Sequence, residues 1–324
     1  MAYRIGLPIG IGLCMFLFAI ALRLECRLST PVDRYRGEEW PSQVGPFPRV
    51  AAGFDGRAIR LDRPPQAIAS QALVIDHLLF AVTAKDRIVS VSTVAHNPRY
   101  SYVTDLLQGM DVAVATDPEA ILRRRPDLVM LSHSARADFE EIVRSAGIPV
   151  FRMLTEFQGF GEIANALRII GHVTGDDEAA QREIQKMWQR IEQATSLRPR
   201  DARQVRILPY STYGSTFGSG SLLNHIIEEL GEINVAAERG IGPVGMISGE
   251  QVAARDPEWI VVGAEPGQAD RTLARMRADP GIAVSMAGKK GNIVAVDTRQ
   301  LISMSHHATS LMETIASHLY RETP

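Results

Sequence analysis

Two stretches of this 324-residue chain decide its fold: Asp117-Pro-Glu-Ala-Ile-Leu with Arg125-Pro-Asp-Leu-Val-Met, and Ser248-Gly-Glu-Gln-Val-Ala with Asp256-Pro-Glu-Trp-Ile-Val. Each reads as a short acidic-capped helix, an (Arg/Asp)-Pro-(Asp/Glu) turn and a buried strand. Asp117 stands at an N-cap with Pro118 in the first helical position. The second proline of each unit cannot continue a helix and fixes the entry into the strand. A unit that recurs in both halves implies pseudo-symmetric lobes with a cleft between them, where ligands bind.

Outward from these units, short β-rich apolar runs alternate with helical patterns. In the first half the runs at 67–70, 87–91, 127–131 and 149–153 read as strands, and 72–82, 117–124 and 135–146 as helices. This alternation means a parallel sheet covered by helices. The rhythm then changes to two successive helices, 159–173 and 176–197. Ala180, Ile184, Met187, Trp188, Ile191 and Ala194 of the second follow helical spacing. Alternation resumes with strands at 205–210, 259–262 and 292–296 and helices at 221–230, 249–254, 271–277 and 310–320. The expected fold is α/β: two Rossmann-like lobes with parallel sheets, joined by one long interlobe helix, with a ligand cleft between the lobes. The divisions are 1–27 as signal or anchor, 28–65 as linker or edge strand, 66–174 as first lobe, 175–197 as linking helix and 198–324 as second lobe.

Composition narrows the function. The chain is 45% hydrophobic and 22% charged with a formal net charge of −2, so it buries a core and lacks the basic excess of a nucleic-acid binder. Cys14 and Cys26, its two cysteines, both precede the body, which excludes a disulfide framework and a cysteine-based zinc site. Ile5–Leu22 is apolar without a charge, between Arg4 and Arg23, and slightly short of a membrane span. It reads as a signal peptide, with a small-x-small cleavage site ending at Ala21, or as an uncleaved anchor. Either reading places the body outside the cytoplasm. Residues 28–62 are rich in Pro, Arg and Gly, with one alternating patch at Ala58–Leu61.

Nucleotide cradles and nucleophile elbows are missing: no Gly-x-Gly-x-x-Gly follows a strand, and Gly218-Ser-Gly-Ser is spaced as a turn with Ser221 capping a helix. Aromatic and imidazole residues gather instead after strand ends, where parallel sheets bind ligands. His96, Tyr100 and Tyr102 follow one strand, His133 another, and Tyr210, Tyr213 and Phe217 a third. Adjacent His306 and His307 point in different directions and supply no metal pair from a single face.

The ordered set Arg87-Ile-Val-Ser-Val, the two repeat units, Ala146-Gly-Ile-Pro-Val, Gly218-Ser-Gly-Ser-Leu-Leu, Gly231-Glu-Ile-Asn-Val and Gly291-Asn-Ile-Val-Ala-Val-Asp resembles the class III periplasmic binding proteins. The likeness spans about residues 66–320. These proteins deliver cobalamin, ferric siderophores or haem to ABC importers. The resemblance implies a substrate-binding protein that captures a ferric siderophore or related iron complex, with cobalamin or haem next. It implies no resident cofactor or metal and no catalysis. Ligand contacts would come from His96, Tyr100, His133, Tyr213, Phe217, Met246, His306 and His307. Glu119 and Glu250, one per lobe, match the family's permease-docking acids, and exposed carboxylates on both lobes suit electrostatic steering. Arg99 and Arg299 are the cations available to an anionic siderophore. A monomer is expected, touching the membrane only through residues 5–22 if these are uncleaved. The alternatives are a membrane-tethered sensor or scaffold, and a chelatase-like enzyme with His133 or His307 as acid–base groups.

Overall fold

The structure, a computed structural model, describes residues 45–115 and 117–320. The apolar run at 5–22, Cys14, Cys26 and Trp40 lie outside the described residues. The described residues begin with an antiparallel hairpin, β1 (Arg49–Ala52) and β2 (Ala58–Leu61). There follow β3 (Ile68–Ser70), α1 (Leu73–Val82), β4 (Ile88–Val91), β5 (Ala113–Val114), α2 (Pro118–Leu122), β6 (Leu128–Ser132), α3 (Ala137–Ser145) and β7 (Val150–Met153). The five strands from β3 to β7 form a parallel sheet of order β5-β4-β3-β6-β7.

Helices α4 (Phe160–Thr174) and α5 (Asp177–Ser196) carry the chain across. The second lobe contains β8 (Arg206–Tyr210), β9 (Ser215–Thr216), α6 (Leu222–Glu229), β10 (Ile233–Asn234), α7 (Val235–Glu238), β11 (Gly245–Met246), α8 (Gly249–Arg255) and β12 (Trp259–Ala264). It closes with α9 (Ala269–Ala278), α10 (Pro280–Ala283), α11 (Met286–Lys290), β13 (Ile293–Asp297), α12 (Thr298–Ile302) and α13 (Thr309–Tyr320). β8, β10, β12 and β13 are parallel, while β9 and β11 add an antiparallel ribbon at one edge. This sheet is therefore mixed where an all-parallel one was expected. Two-residue strands carry too little periodicity to be read from sequence.

The repeat units fold as their sequences dictate. Asp117 caps α2 through the Ala120 amide at 2.7 Å, and Ser248 caps α8 in a capping box with Gln251. Arg125 and Asp256, each before a proline, hold left-handed backbones with φ of 48° and 47°. The two lobes thus solve the helix-to-strand turn identically.

Strand alternation divides each sheet between two cores. Leu128 and Met130 of β6, with Ile207 of β8, Val261 of β12 and Val294 of β13, enter one cluster that also takes α1, α4, α5, α6 and α13. Val129 and Leu131 face α2 and α3, while Leu208, Ile260 and Val262 face a third cluster under α8 to α11. The first core is common to both lobes. Gly171 lets α4 and α5 meet inside it, since a Cβ there would stand 2.6 Å from that of Ala180.

Ion pairs pin both ends of the linking helix. At its start Arg87 pairs with Asp176 at 2.9 Å and donates to the Thr174 carbonyl, while Arg49 pairs with Asp177 at 2.6 Å. At its end Arg198 donates to Glu232 at 2.9 Å, and the fully buried Glu232 also accepts from the Val205 amide and the Tyr320 hydroxyl. Burial and this neighbouring carboxylate push the Tyr320 phenol above its ordinary pKa. Glu232→Ala removes the acceptor shared by a guanidinium, an amide and a phenol, leaving Arg198 with the Ala202 carbonyl and Tyr320 with that of Leu230. It should lower unfolding free energy by about 3–5 kcal/mol in urea denaturation, whereas a change below about 1 kcal/mol would show the clamp to be dispensable.

Candidate ligand-binding site

A cavity of about 500 Å³ opens between the lobes. Most of its wall comes from the second lobe, beyond the carboxyl ends of β8 (Ser211, Tyr213), β12 (Gly263, Glu265) and β13 (Thr298, Leu301). From β8 the chain runs to β10 on one side of the sheet and later to β12 on the other. The crevice outside such a reversal point is where open α/β sheets bind ligands. The first lobe contributes Arg99 and Tyr100 from the segment after β4.

Local structure presents the aromatics. Ser211 accepts at its hydroxyl from the Tyr213 and Ser215 amides, and Gly214 turns the chain with φ of 84°. This rigid tip holds Tyr213 74% exposed. On the next strand Met246, 68% exposed, pairs in register with Ser215. Phe217 is half-buried, lining the cavity and packing on the common core. Two large apolar side chains thus stand exposed on the ribbon beside the cavity.

The facing wall is cationic. Arg271 and Arg275, one helical turn apart on α9, both line the cavity, and no ion pair to either is found among the described residues. Like charges at this spacing cost about 0.2–0.5 kcal/mol in a helix, so the pair is a liability unless an anion offsets it. Across the cleft Arg99 lies 5.2 Å from the Tyr100 ring centroid and forms an ion pair with Glu265. Sequence reading missed Arg271 and Arg275. The signal was their spacing on a helix just past a strand end, hidden because an exposed arginine pair resembles any solvated face.

Four of the expected residues are therefore brought together: Tyr100, Tyr213 and Phe217 line the cavity, and Met246 sits beside it. The four histidines stand elsewhere. His96 is exposed in the turn after β4 and does not line the cavity. His133 meets Phe54 edge-on at 5.6 Å and Thr155 at 3.2 Å, in a separate depression of about 1100 Å³ formed by the hairpin, β7 and α3. It follows β6, on the opposite side of β3 from β4, and does not line the interlobe cavity. Arg299 is engaged by Asp297 at 2.8 Å and lies over Tyr102.

His306 and His307 pack inward with His77 of α1 and Tyr102, because Ser305 caps the turn that carries them. His307 stacks on Tyr102 at 4.2 Å and meets His77 at 5.3 Å, with His306 at 4.0 Å. His77 accepts from the Tyr102 amide at 3.1 Å, and His306 stands 3.9 Å from Glu183 of α5. Burial, then the other histidines and nearby Arg190, Lys186 and Arg299, hold the rings neutral: pKa values fall to about 3 for His77 and His306 and to about 2 for His307. Burial lifts neighbouring Asp76 to about 6 against its hydrogen bonds from Ser92 and Ser70.

Glu119 and Glu250 are exposed in the first turns of α2 and α8, one on each lobe. Among the described residues no helix is long and apolar enough to cross a membrane.

Two α/β lobes joined by a clamped helix, with a ligand-sized cleft at the strand ends, define a solute-binding protein. The sequence matches the periplasmic binding protein family over residues 68–299, and the chain belongs to that family, one of binding proteins rather than enzymes. It is 25% identical over 283 residues to a cobalamin-binding protein of Halobacterium salinarum, covering 86% of this chain and 75% of that protein. It is 25% identical over 245 residues to a vitamin B12-binding protein of Yersinia pestis, covering 72% and 82%. The fold resembles the periplasmic heme-binding protein RhuT from Roseiflexus, with a TM-score of 0.67 at 20% identity over 79% of this chain and 98% of that one. It also resembles a periplasmic binding protein from Veillonella parvula, with a TM-score of 0.71 at 14% identity over 84% and 97%.

The histidine cluster predicts an acid-labile lobe junction. Unfolded histidines protonate near pH 6.5 while the folded ones resist protonation down to about 3. Stability therefore falls as pH drops below 6.5, by about 2 kcal/mol per histidine at pH 5. Asp76 works the other way between pH 6 and 4, since the folded form keeps its proton longer, and offsets part of the loss. Urea midpoints should drop steeply from pH 7 to 5, and His307→Phe should flatten that slope by about one proton. Equal slopes would assign the lability elsewhere.

Proposed function

We propose that this chain is the substrate-binding component of an ABC importer, acting outside the cytoplasm, where it captures an anionic iron complex, a ferric siderophore or haem, and delivers it to the permease. The observation that carries this reading is the cleft's pairing of Arg271 and Arg275 with the exposed Tyr213–Met246 lip. A cationic wall facing an apolar, aromatic one fits a bulky chelate or macrocycle with acidic groups at one edge. Tyr100 and Phe217 complete the contact surface. His96, His133, His306 and His307 have no part in ligand contact in this proposal.

The names of the curated relatives favour a second reading, cobalamin, and the apolar lip suits its corrin as well. Delivery rests on Glu119 and Glu250. Each follows a capped helix start in the equivalent unit of its lobe, so the carboxylates ride on matched, rigid mounts. Export rests on residues 5–22, as signal or anchor.

Trp188, 42% exposed on the linking helix, serves as reporter. Titration of the purified protein with a ferric siderophore series, haemin and cyanocobalamin should give saturable quenching by an anionic iron complex at micromolar concentration or below. Saturation by cyanocobalamin alone would install the second reading, and no saturation by any probe would sink the carrier role. In vesicles holding the cognate permease, Glu119→Lys with Glu250→Lys should abolish stimulated ATP hydrolysis while leaving ligand affinity within about twofold. Full stimulation by the double variant would place docking elsewhere.

A further inference from the structure

Glu265 is the one acidic residue lining the cleft among the described residues; it pairs with Arg99 and shares the cavity wall with Arg271 and Arg275. It follows β12 in the second lobe, whereas Arg99 follows β4 in the first, so their ion pair spans the opening. Both side chains are about two-fifths exposed, at 39% and 40%. A pair this wet contributes little stability and exchanges readily. The Arg99 guanidinium is otherwise poorly satisfied: its Nε is buried and makes no hydrogen bond. Arg99 thus holds a carboxylate at one nitrogen, leaves another empty, and rests against Tyr100 inside the cavity. Arg271 and Arg275 have no carboxylate partner among the described residues, and Gln268 adds a neutral amide to the same wall. Asp279, which like Arg275 acts on the Tyr210 phenol, is committed to capping α10 through the Gly281 and Ile282 amides.

We propose that Glu265 is a built-in competitor for the cationic wall: it occupies Arg99 in the empty protein, and a ligand bearing two or more carboxylate or phosphate groups displaces it. This rests on the ligand-binding reading above and names the ligand class within it. A neutral ligand cannot dislodge a carboxylate from a guanidinium, and it leaves Arg271 and Arg275 unpaired. A dianionic ligand satisfies those two arginines, then takes Arg99 as Glu265 swings into water. The exchange also makes Arg99 report occupancy to the first lobe, because its partner changes from the opposite lobe to the ligand. Glu265 therefore sets selectivity by penalising weakly charged chelates.

Glu265→Gln keeps the shape and removes the competing charge from an exposed position, so folding should be unchanged by circular dichroism. Binding of haemin, ferric citrate, haemin dimethyl ester and cyanocobalamin is measured for wild type and variant. The variant should bind whichever carboxylated probe the wild type takes about tenfold more tightly, with the dimethyl ester and cyanocobalamin within about twofold. Raised salt should weaken the carboxylated probe in both proteins. An equal gain for charged and neutral probes, no gain, or weaker binding of the carboxylated probe would overturn the proposal. Binding of cyanocobalamin alone by both proteins would overturn it too while leaving the carrier role standing. Silence from every probe with both proteins would instead remove the carrier reading on which it rests.

Discussion

The rest of the molecule depends on one shared apolar core. Burial is non-directional and scales with area, so two lobes with separate cores would be free to swing apart. Here the inward faces of both sheets and the helices α1, α4, α5, α6 and α13 pack into a single cluster. Opening the cleft widely would expose that cluster to water. The cavity therefore sits at the edge of a common interior, and its two walls have little room to change their spacing, which is the small-amplitude end of the domain-motion repertoire.

Electrostatics divides along the same line. Pairs that support the scaffold are sheltered: Glu232 with Arg198, Asp176 with Arg87, and Asp177 with Arg49. Each is reinforced by backbone hydrogen bonds, the condition under which a buried pair offsets its desolvation. The charges of the cleft are wetter and under-compensated. A carboxylate cluster similarly serves the hairpin depression, where Glu140 accepts from Arg144 and Arg152. The scaffold pairs are satisfied internally, whereas Arg271 and Arg275 line the cavity without an ion pair among the described residues.

Much of this was legible in the sequence. Helix α5 was read from Ala180, Ile184, Met187, Trp188, Ile191 and Ala194, and all but Trp188, which is 42% exposed, are buried. The repeat units announced their caps and turns because proline and aspartate act locally, within four residues of where they stand. β5, β9, β10 and β11 were not legible, since two-residue strands are defined by their partners and not by their own pattern. The site divided the same way. Tyr213 and Phe217, just past a strand end in the second lobe, line the cavity because parallel topology places them there. His133, His306 and His307 lie away from this cavity, a placement no local window shows, because an imidazole is equally at home in a cleft wall and in a packed interior and only long-range packing chooses. Arg271 and Arg275 went unseen for the opposite reason: nothing in a local window distinguishes a solvated arginine from one that looks across a cavity.

The lopsided cleft wall has a kinetic meaning. The second lobe supplies the ribbon bearing Tyr213, the α9 arginines and the β13 loop, while the first supplies Arg99 and Tyr100. Under the proposed carrier reading, a guest in this cavity would make most of its contacts with the second lobe, which would dominate how it is attracted and seated, while Arg99 and Tyr100 of the first lobe would mainly set how long it stays. Arrival and departure would then rest on different halves of the chain, and each could be retuned without rebuilding the other.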